Sequence, residues 1–460
     1  MSELNARYRD LVARLRGGFD SGLTRPLDWR REQLDALERM LRENEQRITE
    51  VLRSDLSKPA QEVVLGETAL LFSEIRHARS RMERWSRARR VPTPAIAQPG
   101  RSFVQPEPLG VALIIGAWNY PVQLVFAPLI PAIAAGNCAV LKPSEVTPAT
   151  SALIAELVPQ YLDSRAFAVV EGAVPETTAL LEQRFDHIFY TGGAAVGRIV
   201  MKAAAEHLTP VTLELGGKSP AIVDESADLA STARRLAWGK ALNAGQTCIA
   251  PDYVLVTRKQ RDALIDALRE QFREMLGDRP VDSEDYAAIV NERHFERISA
   301  LLGQGTLAIG GGTDPSSRRI EPTVLTDVDP DSDLMRGEIF GPVLPIVEID
   351  GLDDAIAYVR RGDRPLAAYL FARSRAAERR FLDEIACGSV CINDVMMFMS
   401  VPELPFGGVG MSGMGQYHGQ AGFDRFSHLK SVIRRGRFPD PSIRYAPYSA
   451  WKTRLLKWFA

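Results

Sequence analysis

Over the first ninety residues the apolar positions fall at helical spacing. Leu34, Leu37, Leu41, Ile48 and Leu52 recur with charges between them, as in helices that bury one stripe. Residues 76–90 carry seven arginines, read here as a solvated helix face near a subunit contact. Pro92, Pro94 and Pro99 end that helix and open an extended linker. From residue 109 the texture changes. Val111-Ala112-Leu113-Ile114-Ile115 is a short β-branched run, the pattern of a strand buried on both faces. Helical stretches over 121–135, 148–160, 175–183 and 194–206 alternate with apolar runs at 138–141, 166–170 and 187–190. That alternation predicts βαβ units with helices on both faces of a parallel sheet. A second alternating set runs from Ala221-Ile222-Val223 to Ser389-Val390-Cys391-Ile392, and after 400 the chain is rich in Gly, Met and aromatics with no long periodic element. The fold class expected is α/β.

At 460 residues the chain exceeds one compact core, and two or three domains are expected. A net charge of −2 gives no reason to expect nucleic acid as a partner. The longest apolar stretch, roughly 111–136, is interrupted by Asn119, Pro121, Gln123, Pro128 and Pro131, so no spanning helix is expected. The amino terminus lacks the apolar core of a signal peptide. Cysteines stand only at 138, 248, 387 and 391; Cys387 and Cys391 lie in an apolar run, read as core packing rather than a metal site. A reducing, cytoplasmic location and no bound metal are the expectations.

Chemistry concentrates in a few fragments. Cys248 lies in Asn243-Ala244-Gly245-Gln246-Thr247-Cys248, a polar approach that suits a loop; a free cysteine is otherwise a small buried hydrophobe. Glu214, in Leu213-Glu214-Leu215-Gly216-Gly217-Lys218, offers a carboxylate base 34 positions upstream. Asn119, in Trp118-Asn119-Tyr120-Pro121, reads either as an oxyanion donor or as a helix N-cap. Thr191, Gly192, Gly193, Val196 and Gly197 lie between a strand and a helix, where a dinucleotide's pyrophosphate docks; a plain tight turn fits the fragment as well. Lys142 and Glu145 follow a strand, where an acidic residue binds ribose hydroxyls and disfavours a 2′-phosphate. Glu338 and Phe340, in Glu338-Ile339-Phe340-Gly341-Pro342, read as a ribose ligand and a nicotinamide-packing ring, or as an exposed Glu and a core Phe.

These fragments, with Pro108-Leu109-Gly110-Val111, stand in the order found in aldehyde dehydrogenases, and the match covers roughly residues 20–435. The early start of the first helices, Ser21–Leu27, and Pro405–Gly419 with Phe423–His428 resemble the class-3 and fatty-aldehyde branch. The resemblance implies a Rossmann-type NAD domain over 1–77 and 100–207 and an α/β catalytic domain over 208–398. It also implies a β oligomerisation arm over 78–99 and 399–440, dimers, and an amphipathic tail over 441–460. It implies NAD- or NADP-dependent oxidation of medium- or long-chain aliphatic, or aromatic, aldehydes to acids. Cys248 forms a thiohemiacetal and then a thioester, Asn119 holds the oxyanion, and Glu214 activates water, with Glu338 as the alternative base. Glu214 favours water over coenzyme A as acyl acceptor, and retention of Cys248, Glu214 and Asn119 disfavours a non-catalytic binding protein. Gly193 departs from the serine common in the superfamily, leaving backbone to hold pyrophosphate. The tail, with Trp451, Leu455, Trp458 and Phe459 on one face, is read as lying on a membrane surface, covering the substrate entrance, or packing on a subunit.

Overall fold

The computed structural model describes residues 2–459. The amphipathic stripe of the amino-terminal region forms the helices Leu27–Glu43 and Glu45–Leu56, with Leu34, Leu37, Leu41, Ile48 and Leu52 all buried. A long helix, Ala69–Ser86, follows a single π-helical turn at Val64–Thr68. Its arginines stay at the surface, several of them paired: Arg79 meets Asp35 and Glu38, and Arg87 meets Glu83.

The β-branched runs become two sheets. The first has six strands in the order Gly413–Met414, Val211–Glu214, His187–Thr191, Val111–Ile115, Cys138–Lys142, Phe167–Val169. All neighbours are parallel except Gly413–Met414, which runs antiparallel beside Val211–Glu214. Chain order runs outward from Val111–Ile115 on one side and then returns to its other side. The direction of winding therefore reverses between Val111–Ile115 and His187–Thr191, where such sheets open a ligand crevice. The second sheet has seven strands, with Tyr253–Thr257 central between Pro220–Val223 and Val343–Ile349. Both sheets are covered by helices; every residue of the helix Gln123–Ala135 is buried.

A third, antiparallel sheet joins Arg89–Val91, Gly100–Pro108 and Ser427–Arg435, the last two in register from Ser427 opposite Pro108 to Arg435 opposite Gly100. This departs from the sequence reading in three places. Gly100–Pro108 pairs within this arm, although a cofactor-domain boundary was expected at 100. Val211–Glu214 completes the cofactor sheet, although it lay in the segment expected to be catalytic. The region after 400 does contain a long strand, Ser427–Arg435, whose basic and exposed positions disguise its period. The carboxy-terminal helix Ala450–Phe459 packs on the turn Ala95–Ala97 at the tip of its own arm and on the turn Ser442–Arg444. Lys452 fixes it by donating to the carbonyls of Tyr445 and Pro447. Among the described residues no helix is long and apolar enough to cross a membrane.

Candidate active site

Parallel register gathers the sequence-derived residues at one sheet edge. Ile115 stands opposite both Tyr190 and Lys142, and Thr191 stands opposite Glu214. The segments that follow these strands carry Asn119, Glu145, Gly192 and Gly193 and leave the same carboxyl edge. In the second sheet the functional segments precede their strands: Cys248 comes just before Tyr253–Thr257, and Glu338 just before Val343–Ile349. The linker Leu215–Ser219 joins Val211–Glu214 to Pro220–Val223, so the carboxyl edge of one sheet faces the amino edge of the other across the site.

Cys248 sits at the end of a tight left-handed turn. Asn243, Ala244 and Gly245 have φ of 51°, 51° and 70°. At Gly245 a Cβ would stand 2.3 Å from the Gly341 carbonyl, so no larger residue fits. Gln246 is fully buried and staples the turn, donating to the carbonyls of Asn243 (2.9 Å) and Ala288 (3.0 Å) and accepting from Val290 N–H (3.0 Å). On the far side of Cys248 the Tyr369 hydroxyl donates to the Ile249 carbonyl.

Asn119 is tied to the same turn. Its Nδ2 donates to the Gln246 carbonyl (3.1 Å), and its own carbonyl accepts from Asn243 Nδ2 (3.0 Å) and Lys58 Nζ (2.9 Å). The N-cap alternative for Asn119 does not hold. Glu67 takes the N–H groups of Val122 (3.1 Å) and Gln123 (2.8 Å) at that helix start. Glu67 in turn pairs with Lys58 at 2.8 Å, both side chains fully buried. Lys58 also lies over the Tyr120 ring, whose hydroxyl shares a hydrogen bond with Thr247 (2.8 Å).

The electrostatics set each group away from its ordinary behaviour. Burial pushes the Cys248 thiol well up, and the charges of Glu338 and then Glu214 push it further. Burial likewise raises Glu214 well above the usual carboxylate range, relieved only by Arg425; neither of its oxygens has a protein partner. Glu338 is pushed up to about 8 by burial and by Asp252, against the pull of the Gly217 N–H, Lys218 and Arg297. Its backbone is clamped on both sides. Lys218 Nζ holds the Gly337 carbonyl (3.1 Å) and Asp252 (2.6 Å), Asp252 accepts from Ile339 N–H (3.0 Å), and Arg297 donates to the Ile339 carbonyl (2.8 Å). Phe340 follows in a left-handed conformation (φ 47°), edge-on to Trp118 at 5.3 Å, and Trp118 also meets His294.

Of the expected dinucleotide residues, Gly193 borders open space. Gly193 precedes the helix Ala194–Ala205 with nothing within 4 Å of where its Cβ would be, and no side chain caps that helix. The Thr191 hydroxyl is buried without a protein partner, Val196 is exposed, and Gly197 is buried against Leu215. Gly216 leaves room for the Glu338 carboxylate, which a Cβ would meet at 1.9 Å. Lys142 is buried, its Nζ on the Pro143 carbonyl (2.8 Å) and 3.3 Å from Glu145, whose side chain reaches solvent. Free N–H groups at a helix start, an unclaimed hydroxyl and a solvent-facing acid fit a dinucleotide.

Six contributors escaped the sequence reading: Lys58, Glu62 (whose carboxylate accepts the Asn243 N–H at 2.9 Å), Glu67, Asp252, Arg297 and Tyr369. The first three lie in a charge-rich helical region where nothing distinguishes a buried ion from a surface one.

Two helix-covered sheets meeting edge to edge, with a cysteine near two carboxyls at their junction, fit an NAD(P)-dependent oxidoreductase of the thiol type. The aldehyde dehydrogenase family model matches residues 7–432, and the chain belongs to that family, whose members oxidise aldehydes to carboxylic acids with NAD or NADP. Within it the chain stands with family 3. It is 47% identical to mouse aldehyde dehydrogenase family 3 member A2, over 97% of this chain and 93% of that protein. It is 46% identical to the rat dimeric NADP-preferring aldehyde dehydrogenase, over 96% and 98%. The structure of Staphylococcus aureus AldH in a substrate-bound state is 42% identical, covers 98% of each chain and superposes with a TM-score of 0.95.

Proposed function

We propose that Cys248 is the nucleophile for medium- and long-chain aliphatic, or aromatic, aldehydes. The observation that carries this is the convergence on one turn: Cys248, the Asn119 amide bonded to that turn, and two raised carboxyls whose charges reach the thiol. Glu214 is the better base. Both its oxygens are unclaimed, whereas Glu338 accepts from Gly217 N–H inside a clamped loop. A base whose own affinity for protons is raised draws a proton from water more readily. The Cys248 sulfur, its proton released to solvent, adds to the aldehyde carbon, and the Asn119 amide and the Cys248 N–H hold the resulting oxyanion. Thr191, Gly192, Gly193, Val196, Gly197, Lys142, Glu145, Glu338 and Phe340 would hold NAD, which would supply the hydride acceptor. Loss of hydride leaves a thioester on Cys248. Glu214 draws a proton from water, which attacks the thioester; the C–S bond breaks, the departing sulfur takes that proton from Glu214, and the acid leaves. Glu145 disfavours a 2′-phosphate and so favours NAD over NADP.

The apolar substrate reading is supported by Val64, Leu65, Met397, Val401 and Leu404, which are all exposed. The turn bearing Leu65 and Gly66 lies against the Tyr120 ring, one hydrogen bond from Thr247. The arm suits a homodimer, and a thiol nucleophile suits the reducing cytoplasm. The tail supports peripheral contact with an anionic membrane. Residues 427–460 carry eight Lys or Arg against one acid, Asp440, and Phe438, Tyr448 and Trp451 stand exposed. Sedimentation with vesicles containing phosphatidylserine tests this: binding should disappear on removal of 441–460 and with neutral lipid.

The deciding assay follows NADH or NADPH formation with aldehydes from propanal to hexadecanal and with benzaldehyde, for the wild type and Cys248→Ser. Turnover that rises with chain length and vanishes in the variant is expected. Turnover only after addition of coenzyme A would move the chain to acylating chemistry, and none under either condition would make it a binding protein.

A further inference from the structure

The turn that presents Cys248 is held open by more than its own residues. Asn243 and Ala244 are side-chain-bearing residues in the left-handed region, which such residues leave unless the surroundings fix them. Asn243 is fully buried, so its backbone N–H has no access to water and must find a partner within the protein. That partner is a carboxylate from a distant part of the chain: Glu62 accepts the Asn243 N–H at 2.9 Å. The bond enters the turn at its first residue. Its side chain continues the connection, Nδ2 donating to the carbonyls of Asn119 (3.0 Å) and Gln246 (3.2 Å).

We propose that Glu62 is a positioning residue for Cys248, fixing the left-handed turn Asn243–Gly245 through the Asn243 N–H and thereby the alignment of the sulfur with the Asn119 amide. Its place in the fold suits the task. Glu62 belongs to the short helix Ala60–Val63, which runs directly into the π-helical turn Val64–Thr68. Two residues after it in the chain, Val64 begins the exposed apolar surface, and Gly66 touches the Tyr120 ring. Four residues before it, Lys58 holds the Asn119 carbonyl. One segment of ten residues, 58–67, thus grips the amide donor at one end and the nucleophile's turn in its middle. The carboxylate is partly buried and carries an unfavourable desolvation, relieved first by the Asn243 N–H and then by Lys58, while Asp285 opposes. A glutamate placed only for surface charge would have no reason to accept that burial.

The inference rests on Cys248 as nucleophile, so the test keeps the two apart. Glu62→Gln retains an acceptor oxygen; Glu62→Leu removes it at similar volume. Each is compared with the wild type in steady-state kinetics, in thermal unfolding, and in the rate at which iodoacetamide labels the Cys248 peptide, read by mass spectrometry. The expected result is a folded Glu62→Leu protein with kcat at least tenfold down, an NAD KM within twofold of wild type, and a Cys248 labelling rate shifted at least threefold. Glu62→Gln should restore all three readings. If the leucine variant does not fold, Glu62→Ala carries the same comparison. Unchanged kcat and labelling in a folded Glu62→Leu protein would overturn the proposal. So would a loss in Glu62→Gln as large as in Glu62→Leu, or a loss expressed only in KM. Failure of the nucleophile reading itself would show separately, as full turnover in Cys248→Ser.

Discussion

Cys248 is a thiol held protonated by burial and by two neighbouring carboxyls, and Glu214 is a buried acid with no hydrogen-bond partner. Neither is at its ordinary set point, and perturbed groups facing one another in a crevice are what acyl chemistry requires. Glu214→Gln is therefore expected to leave formation of the acyl-enzyme in place and slow its hydrolysis by roughly 10²–10⁴. Rapid mixing should show a burst of about one NADH per site followed by a stall; undiminished steady turnover would transfer the base role to Glu338. Glu338→Gln should instead appear in the NAD dependence, because its carboxyl is locked against Gly216 and Gly217 and its backbone is clamped by Lys218, Asp252 and Arg297. Of these residues the sequence exposed Cys248, Glu214, Asn119 and Glu338, since each sits in a polar or glycine-containing fragment beside an apolar strand. It hid Asp252 and Arg297, because a clamp made across 40 to 120 residues of chain leaves no local pattern.

At the level of elements, the buried strands were legible because runs such as Val111–Ile115 and Cys138–Lys142 are apolar at every position but Lys142, and sheets covered on both faces demand that. The arm strand Ser427–Arg435 was not. A strand exposed along much of its length needs no apolar alternation, and its lysine and arginines imitate a loop. The segment 58–68 was silent for the opposite reason, since its Lys–Glu pair is indistinguishable in sequence from surface charge and is wholly enclosed. That pair makes a firm expectation. Lys58→Met leaves Glu67 buried and without its cation while removing the donor to the Asn119 carbonyl, and should cost about 3–5 kcal/mol in chemical unfolding. A change below about 1 kcal/mol would mean that the pair is not enclosed in solution. The double variant Lys58→Met, Glu67→Gln should recover part of the stability but not the activity, because the Asn119 carbonyl remains without its cation.

Across the whole molecule, acid sensitivity follows from histidines enclosed as neutral rings. His187 is buried, its ring Nε2 beside the Thr212 hydroxyl (3.0 Å), and burial followed by Arg425 depresses it to about 3. The unfolded chain takes up a proton there below the ordinary histidine value of 6.5, whereas the folded chain does not. Its contribution to stability is thus complete above pH 6.5 and is lost as pH falls toward 3. His418 and His294, each lowered to about 4, act in the same direction. Glu62 and Glu74, raised to about 7, and Glu338, raised to about 8, act the other way, losing their contribution as pH rises from 4.5 through those values. The clean measurement is the difference in melting temperature between the wild type and His187→Gln. It should shrink steadily from pH 7 to pH 4.5, and a difference independent of pH would show that the ring titrates normally.

The pairing of Gly413 with Glu214 and of Met414 with Leu213 has a consequence for how the protein is made. The strand that ends in Glu214 is edged by residues synthesised some two hundred positions later, and Ser427–Arg435 closes a sheet begun at Arg89. A ribosome that has already delivered Asn119, Glu214 and Cys248 still holds a chain whose first sheet and arm each lack an edge strand. Those edges stay open until residues 413–435 have emerged, and an unpaired edge is a template for wrong pairing in that interval.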